Sequence, residues 1–404
     1  MAGFAVEDDF FDGQTLRAAG TAPYGGADVL ECIAIARRVK KRDLDSWHDE
    51  WAAAGRRAFA LGEEAEASAR ADTAKRAFLR ACTYFRTSGI AFLGSPVDPR
   101  LRESLVRQRE AFRRAIPYLG AHVQIVEIPL GKITLPGYYF RVADDDRRRA
   151  TVILTNGYDG TVEEMYFGNA QAALDRGYDV LAFDGPGQGA VLIEQGVTLR
   201  PDWENVVPTV VDWLLERPGA DPERIALIGW SLGGFLAPRA ASGEHRLAAC
   251  IADANFYDLF DAVLDRLPMP VRAQIPDGNE AAVAIVQSRM DKLMKKPTEG
   301  WSLRRGLYVN GVGSMMDYVR DARRYTLKGL ADRITCPTLI CHGELDPIAS
   351  QAPLTFAALT CPKELITFLA VDGAGDHCEV GARQHYHARS FGWLDSILEP
   401  TRLS

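Results

Sequence analysis

One stretch of the chain limits its fold more than any other: an apolar strand that runs into a glycine-flanked serine and then into a helix. The strand is RIALIG, the turn is Gly229-Trp230-Ser231-Leu232-Gly233, and the helix is LGGFLAPRAA. A serine on such a sharp turn needs small residues two positions away, because the backbone there is strained and closely packed. The pattern predicts a nucleophilic serine that projects from the C-terminal edge of a parallel sheet.

The sequence around this turn alternates between strands and helices from about residue 122 onward. HVQIVEIPL and TLPGYYFRVA are typical of two strands joined by a turn around Gly131. Buried strands are indicated by ATVILTNG, YDVLAFD, LAACIAD, CPTLICHG and ELITFLAVDG, with helical segments between them. Together with the serine turn, this alternation predicts the α/β-hydrolase fold, a mostly parallel twisted sheet with helices on both faces.

Helical segments precede and interrupt this sheet. Between about residues 27 and 119 the apolar residues recur at helical spacing, so residues 1–120 are predicted to form an all-helical N-terminal lid unit. Residues 121–404 are predicted to form the hydrolase core, with a helical cap inserted at about 256–330, since the interval between two core strands there is far longer than a crossover needs. Apolar cap residues that suit a flat ligand are Met269, Met315, Met316 and Tyr318.

A hydroxyl becomes a good nucleophile when a base takes its proton, and in this fold the acid and the histidine follow the serine in chain order. His377 is the predicted base, because it lies in the glycine-rich loop VDGAGDH directly after the strand ELITFLAV. His385 and His387 lie on the next helix, where surface or interface positions explain them. His342 belongs to a strand end, where packing explains it.

Asp346 is the predicted acid, because it ends the segment TLICHGELD just before Pro347. Its expected role is to orient the imidazole and stabilise the imidazolium. Asp253, at the end of the strand before the cap, is the other place where an acid is expected.

Two backbone N–H groups are predicted to form an oxyanion hole. Leu232 follows the serine at a helix N-terminus, and Tyr158 lies in the loop NGYDGT after the first parallel strand. The neighbouring side chains of Asp159 and Trp230, together with Asp253, are predicted to contact a small-molecule substrate.

Composition excludes several other classes of protein. The formal net charge is −7, which argues against nucleic-acid or anionic-membrane partners because both need basic surfaces. The seven cysteines are odd in number and form no CxxC pair, so neither a disulfide framework nor a metal site is expected. No secretion signal or membrane-length apolar run is found, which predicts a cytoplasmic protein. The GPGQG turn lacks the dinucleotide-binding spacing, so no cofactor is expected. The helical unit, with Trp47 and Trp51, offers a possible homodimer interface.

Several segments together resemble the dihydroxypseudooxynicotine hydrolase family and are similar to fungal heptaketide hydrolases that shorten polyketides. These segments are NGYDGTVEEM, FDGPGQG, GWSLGG, HGELD and DGAGDHCE, preceded by the helical unit. The resemblance implies hydrolysis of a carbon–carbon bond next to a carbonyl in an aromatic or polyketide-like ketone, with Ser231, Asp346 and His377 as the triad. It also implies an acidic cap residue near the substrate, and Asp265 or Asp261 is expected in that role.

Two other functions stay open at this point. An esterase, thioesterase or acyltransferase would use the same triad, since acyl-enzyme chemistry does not require a carbon leaving group. A catalytically silent scaffold retained for binding is a further alternative, although a complete set of Ser, Asp and His in the required order disfavours it.

Overall fold

The computed structural model of the protein describes residues 3–265 and 280–400. Its centre is a single eight-stranded sheet. In chain order the strands are β1 (His122–Leu130), β2 (Ile133–Arg141), β3 (Arg149–Thr155), β4 (Asp179–Phe183), β5 (Ala220–Trp230), β6 (Ala249–Asp253), β7 (Thr338–Gly343) and β8 (Lys363–Phe368).

The strands lie in the order β1-β2-β4-β3-β5-β6-β7-β8. β2 is antiparallel to both of its neighbours, and every pair from β4 to β8 is parallel. Every residue of β3, β4 and β6 is buried, as expected for parallel strands covered by helices on both faces. This topology confirms the predicted α/β-hydrolase fold, and it brings the loops that follow β3, β5, β7 and β8 to one edge of the sheet.

Helices precede the sheet in the chain, connect its strands and follow its last strand. They are α1 (Asp9–Ala19), α2 (Val29–Ala36), α3 (Leu44–Ala67), α4 (Ala71–Gly89), α5 (Pro99–Ala115), α6 (Val162–Met165), α7 (Gln171–Leu174), α8 (Gly189–Ile193), α9 (Val207–Leu215), α10 (Gly233–Ala241), α11 (Leu259–Leu264), α12 (Glu280–Met294), α13 (Trp301–Asn310), α14 (Met315–Ala322), α15 (Ala352–Ala358) and α16 (Arg383–Leu398). A π-helical turn, Tyr166–Ala170, joins α6 to α7. Short 3₁₀ turns lie at Ala22–Tyr24, Ile90–Phe92, Ile116–Tyr118, Trp203–Asn205, Ala331–Arg333, Ala370–Asp372 and His377–Glu379.

The long helices α3 and α4 pack closely because two glycines on α3 make room for aromatic rings. A Cβ atom on Gly55 would lie 2.8 Å from the ring of Phe85, and one on Gly62 would lie 2.5 Å from the ring of Phe78. Both distances are shorter than van der Waals contact, so alanine at either position would push the helices apart.

The N-terminal helices share one core with the sheet. The ring of Phe112 on α5 lies 4.9 Å from that of Tyr138 on β2 and 5.5 Å from that of Tyr166. All three side chains are buried in a continuous apolar cluster that runs from α1 to α16. The N-terminal unit is therefore packed against the core as part of the same interior.

Helix α1 is an element that the sequence reasoning missed, since helices were expected only from about residue 27. Its N-cap is Asp8, whose carboxylate accepts a hydrogen bond from the N–H of Phe11. Phe11 stacks on Trp47 of α3 with the ring centroids 4.6 Å apart. Trp47 and Trp51 are both fully buried, so neither side chain is exposed for the dimer interface that was considered for them.

The cap interval contains helices α11 to α14, and residues 266–279, including Met269, lie outside the described residues. α13 fastens the cap to the N-terminal unit, because the indole N–H of Trp301 donates to the carbonyl of Ile90 over 2.7 Å. Met315 and Met316 are buried in the cap, whereas Tyr318 reaches the cavity above the sheet edge. The cap and the N-terminal helices thus enclose that cavity together.

Candidate active site

Ser231 lies on a sharp turn between β5 and α10. Its backbone φ is 60°, a left-handed conformation that is costly for a residue with a side chain. The glycines on either side permit the close packing: a Cβ atom on Gly229 would lie 1.8 Å from the carbonyl oxygen of Gly233, and one on Gly233 would lie 2.5 Å from that of Thr155. The strained turn projects the serine side chain from the sheet edge.

The structure brings Ser231, His377 and Asp346 together. The Oγ atom of Ser231 lies 2.8 Å from Nε2 of His377, and Nδ1 of the same ring lies 2.6 Å from Oδ2 of Asp346. The other oxygen of Asp346 accepts a hydrogen bond from the N–H of Ile348. Burial raises the pKa of Asp346, but hydrogen bonding and the charge of His377 outweigh this, so the pKa lies below its ordinary value. An ionised Asp346 that holds the Nδ1 proton leaves Nε2 able to accept the serine proton.

The loop that carries the histidine is strained as well. Cys378 and Glu379 directly follow His377 with φ values of 53° and 47°. Arg383 on α16 holds this segment by donating to the carbonyl of Cys378 over 3.0 Å and to Asp253 over 2.8 Å. Asp253, one of the predicted substrate contacts and the alternative acid, is thus fully buried in an ion pair with Arg383.

Arg383 also connects this loop to the π-helical turn. Its guanidinium donates to the carbonyl of Gly168 over 2.9 Å and to Oδ1 of Asn169 over 3.0 Å. His387 also contacts the carbonyl of Gly168, with its Nε2 at 2.6 Å, and Tyr24 lies 2.7 Å from its Nδ1. His387 is therefore buried in contact with the carbonyl of the π-turn, and not at the surface or interface position that was expected for it.

The loop after β3 reaches the serine through Gly157. A Cβ atom on Gly157 would lie 2.9 Å from the Cβ of Ser231, so only glycine allows this approach. The carbonyl of Asn156 accepts a hydrogen bond from the side-chain amide of Gln188 over 2.7 Å, which gives the GPGQG turn a role as a support for this loop. Among the described residues, no acceptor lies within hydrogen-bonding distance of the Tyr158 or Leu232 backbone N–H.

A cavity of about 360 Å³ opens beside Ser231 and His377. Its apolar wall is formed by Leu199, Trp230, Phe256, Leu259, Ala262, Val263, Trp301, Ile348 and Val380. Its polar wall includes Gln14, Arg17, Tyr158, Asp159, Arg305, Asn310 and Tyr318. Helix α1, the loop after β3 and the cap therefore all contribute side chains to one space, which is large enough for a medium-sized organic molecule.

Asp159 lies in this cavity wall, but it is bound by arginines. Its carboxylate accepts a hydrogen bond from Arg17 over 2.7 Å and another from Arg305, and Arg86 donates to its backbone carbonyl over 3.2 Å. Burial raises the pKa of Asp159, but the three positive charges together outweigh it and hold that pKa far below its ordinary value. Glu164 completes the cluster by accepting two hydrogen bonds of 2.6 Å from Arg17.

Sequence reasoning did not find the arginines of this cluster. Arg17 lies 142 residues before Asp159 and Arg305 lies 146 residues after it, so no local spacing connects them. The N-cap Asp8 followed by DFFDGQTLR was the one local signal available, since it predicts the helix that carries Arg17.

The predicted cap carboxylates lie elsewhere. Asp265 follows the end of α11 with an exposed side chain and is not among the residues that line the cavity. Asp261 is bound to Lys328 over 2.7 Å. Among the predicted contacts, Trp230 and Asp159 do line the cavity, whereas Asp253 does not.

The described residues hold neither a metal-binding cluster nor a helix suited to crossing a membrane. Within residues 3–265 and 280–400, no group of three or more His, Cys, Asp or Glu side chains has the geometry of a metal site. Across the same ranges no helix combines the length and the apolar character that crossing a membrane requires.

Comparison with known proteins supports the same fold and extends over nearly the full chain. A family model described as alpha/beta hydrolase family matches residues 152–385. The hydrolase LUC6 of Fusarium sp is 35% identical over 409 residues, and the 20-hydroxy-prefusarin hydrolase FUS2 of Gibberella moniliformis is 36% identical over 411 residues; each alignment covers 96% of both chains.

A solved structure provides a further comparison. The crystal structure of 2,6-dihydroxy-pseudo-oxynicotine hydrolase matches with a TM-score of 0.75 and 23% identity, covering 94% of this chain and 95% of that one. This likeness includes the helical N-terminal unit as well as the sheet, so the two chains share a fold. On the strength of the family model and the full-length relatives, the chain belongs to the alpha/beta hydrolase family.

Proposed function

We propose that the protein is a serine hydrolase that cleaves a carbon–carbon bond next to a carbonyl in an aromatic or polyketide-like ketone. The observation that carries the proposal is the hydrogen-bonded series from Ser231 Oγ through His377 to Asp346, with separations of 2.8 and 2.6 Å, at the wall of the apolar cavity. The triad could serve ester chemistry equally well. The choice of a carbon–carbon bond rests on the resemblance to polyketide-shortening hydrolases and on full-length similarity to a 20-hydroxy-prefusarin hydrolase.

In the first step of the proposed mechanism, His377 takes the Ser231 proton as Oγ bonds to the ketone carbon. The charge on the carbonyl oxygen is stabilised by the N–H groups of Leu232 and Tyr158, which have no acceptor within the described residues. The tetrahedral intermediate collapses by breaking the carbon–carbon bond. The bonding electron pair leaves with the carbon fragment, which takes the proton from His377, and an acyl group stays on Ser231.

In the second step a water molecule replaces the departed fragment. His377 removes a proton from the water as its oxygen attacks the acyl carbon, and then returns that proton to Oγ of Ser231. A carboxylic acid is released and the serine is restored. The imidazole side chain is 35% exposed whereas the Asp346 side chain is fully buried, so water reaches the base without reaching the acid that orients it.

A fluorophosphonate probe tests the nucleophile. We expect covalent labelling of the wild type, none of Ser231→Ala, and wild-type labelling of Ser396→Ala, whose exposed hydroxyl lies on α16. Equal labelling of Ser231→Ala and the wild type would contradict the assignment, and no labelling of any variant would favour a binding role.

A substrate panel tests the bond that is broken. We expect aryl-substituted β-diketones to be cleaved to a carboxylic acid and a ketone, and Ser231→Ala to lower kcat/KM by roughly 10⁴- to 10⁶-fold. Fast turnover of aryl esters with no diketone cleavage would contradict the carbon–carbon proposal and leave an ester hydrolase.

A further inference from the structure

Arg305 is one of two arginines in the polar wall of the cavity, as the structure describes it. This residue lies on α13 of the cap, and its side chain is 22% exposed. Its guanidinium lies 4.8 Å from the ring centre of Tyr158 and 4.7 Å from that of Trp301. Two aromatic contacts of this kind favour a cation and fix the plane of the guanidinium. Arg305 is therefore oriented by the walls before any substrate arrives.

The hydrogen-bonding capacity of Arg305 is largely unused. A guanidinium carries five N–H donors. Within the described residues, Arg305 donates to the carboxylate of Asp159 alone, and its Nε is buried without an acceptor. A buried donor without a partner costs free energy unless a ligand or water accepts from it.

The charges around this wall do not balance. Among residues 3–265 and 280–400, the cluster contains three arginines, Arg17, Arg86 and Arg305, but only two carboxylates, those of Asp159 and Glu164. Glu164 lies behind the cavity wall and is occupied by Arg17 through two hydrogen bonds. The excess of positive charge affects Arg86, because burial and the nearby charge of Arg17 lower the pKa of its guanidinium to about 10. Counted over the described residues, this part of the cavity wall therefore carries one positive charge in excess.

We propose that this part of the cavity wall binds a carboxylate group of the substrate, with Arg305 as the residue that selects for it. This inference rests on the proposed function, because it places the carboxylate at one end of a substrate whose ketone lies at Ser231. The apolar residues that line the rest of the cavity suit the carbon skeleton of such a substrate. A carboxylate supplies two coplanar acceptors, which match the fork of a guanidinium. A bound carboxylate would accept hydrogen bonds from the unused N–H donors of Arg305 and neutralise the excess positive charge.

Binding is measured by titration calorimetry in the Ser231→Ala background, so that no ester is turned over. The ligands are the monomethyl esters of dicarboxylic acids from glutaric to sebacic acid, each compared with its dimethyl ester. We expect the half esters to bind more tightly at one or more chain lengths. Arg305→Met should weaken their binding roughly 10- to 100-fold relative to the dimethyl esters, the range for hydrogen bonds to a charged group. Arg305→Lys, which keeps the charge without the fork, should fall between the two.

Arg320→Met is the matched control, because it removes a positive charge from the same cap at an exposed position outside the cavity. It should leave the preference for half esters unchanged. Equal binding of half esters and dimethyl esters by the Ser231→Ala protein, or an unchanged preference after Arg305→Met, would overturn the inference. Preference for half esters without diketone turnover by the wild type would contradict the proposed function alone, whereas turnover without that preference would contradict this inference alone.

Discussion

Replacing Arg383 by methionine should destabilise the protein severely, because this side chain is the cation of a buried polar cluster. It is 5% exposed and donates to Asp253, to two backbone carbonyls and to Asn169 over distances of 2.8 to 3.0 Å. Breaking a buried ion pair by removing one partner costs about 3–5 kcal/mol, since the remaining charge is left uncompensated. The lost carbonyl hydrogen bonds add to this, while protonation of Asp253 limits it. We therefore expect the free energy of unfolding to fall by about 3–5 kcal/mol.

Glu379 belongs to the same buried cluster as Arg383, but its replacement should have a much smaller effect on stability. Burial and the nearby charge of Asp253 raise the pKa of Glu379 well above its ordinary value, so it holds a proton beside Asp253. Arg383 lies 2.8 Å from Asp253 but 3.5 Å from Glu379, which identifies Asp253 as the ionised partner. Among the described residues, neither Oδ1 of Asp253 nor Oε1 of Glu379 has a conventional hydrogen-bond donor, as expected if a proton lies between them. Glu379→Gln should therefore change stability by less than about 1 kcal/mol at pH 5, because an amide replaces a neutral acid.

Urea denaturation followed by circular dichroism measures these differences. A loss of under about 1 kcal/mol for Arg383→Met, or equal losses for Arg383→Met and Glu379→Gln, would refute the account of the cluster given above.

The same cluster predicts a pH dependence. Because the folded-state pKa of Glu379 lies above the ordinary 4.5, the native state keeps its proton to higher pH than the unfolded chain does. The free energy of unfolding therefore loses a contribution as pH rises from about 4.5 toward the folded-state pKa. Glu379→Gln has no such proton, so its stability relative to the wild type should increase over that range. Parallel stability profiles for the two proteins would show that Glu379 titrates normally.

Three further predictions concern the triad, the serine turn and the shared core. Asp346→Asn should lower kcat by about 10³- to 10⁴-fold in a turnover assay, because the amide favours the wrong imidazole tautomer; near-normal kcat would remove Asp346 from the triad. Gly229→Ala should abolish fluorophosphonate labelling and lower the urea midpoint, because its Cβ would lie 1.8 Å from a carbonyl oxygen. The control Gly392→Ala meets no described atom within 4 Å, so both labelling and urea midpoint should stay normal. Normal labelling of Gly229→Ala would contradict the geometry of the serine turn. Phe112→Ala should cost about 3–5 kcal/mol in a single cooperative unfolding transition; a separate early transition of the helical unit would contradict the continuous core.

Much of the fold was predictable because it depends on local patterns. Apolar strands that run directly into glycine-rich turns marked the sheet, and the order Ser231, Asp346, His377 followed from where those strands end. These residues needed no knowledge of distant packing. The π-turn that leaves a carbonyl for His387 has no comparable local pattern, and an imidazole on a helix is compatible with either surface or interior.

The part that escaped prediction depends on contacts between distant segments. The role of Arg305 follows from its meeting with Asp159, and that of Arg383 from its meeting with Asp253. Both arginines lie on helices where a solvent-exposed charge is the ordinary expectation. Asp265, the acid expected from the cap, does not line the cavity. That expectation came from the family resemblance, which transfers core motifs more faithfully than it transfers an insertion.

The arrangement around Asp159 also has a consequence for how the chain is made. Arg17 is synthesised early, its carboxylate partner follows 142 residues later, and Arg305 follows after a further 146. At about 5–20 residues per second, the ribosome needs roughly 15–60 s to pass from the first arginine to the last. Throughout that interval the segment that becomes α1 is present without the residues against which it packs, and a helix of 11 residues has little stability alone. A stalled or truncated nascent chain would therefore display this segment unpaired to chaperones and proteases, and the cavity is assembled only when the cap has emerged.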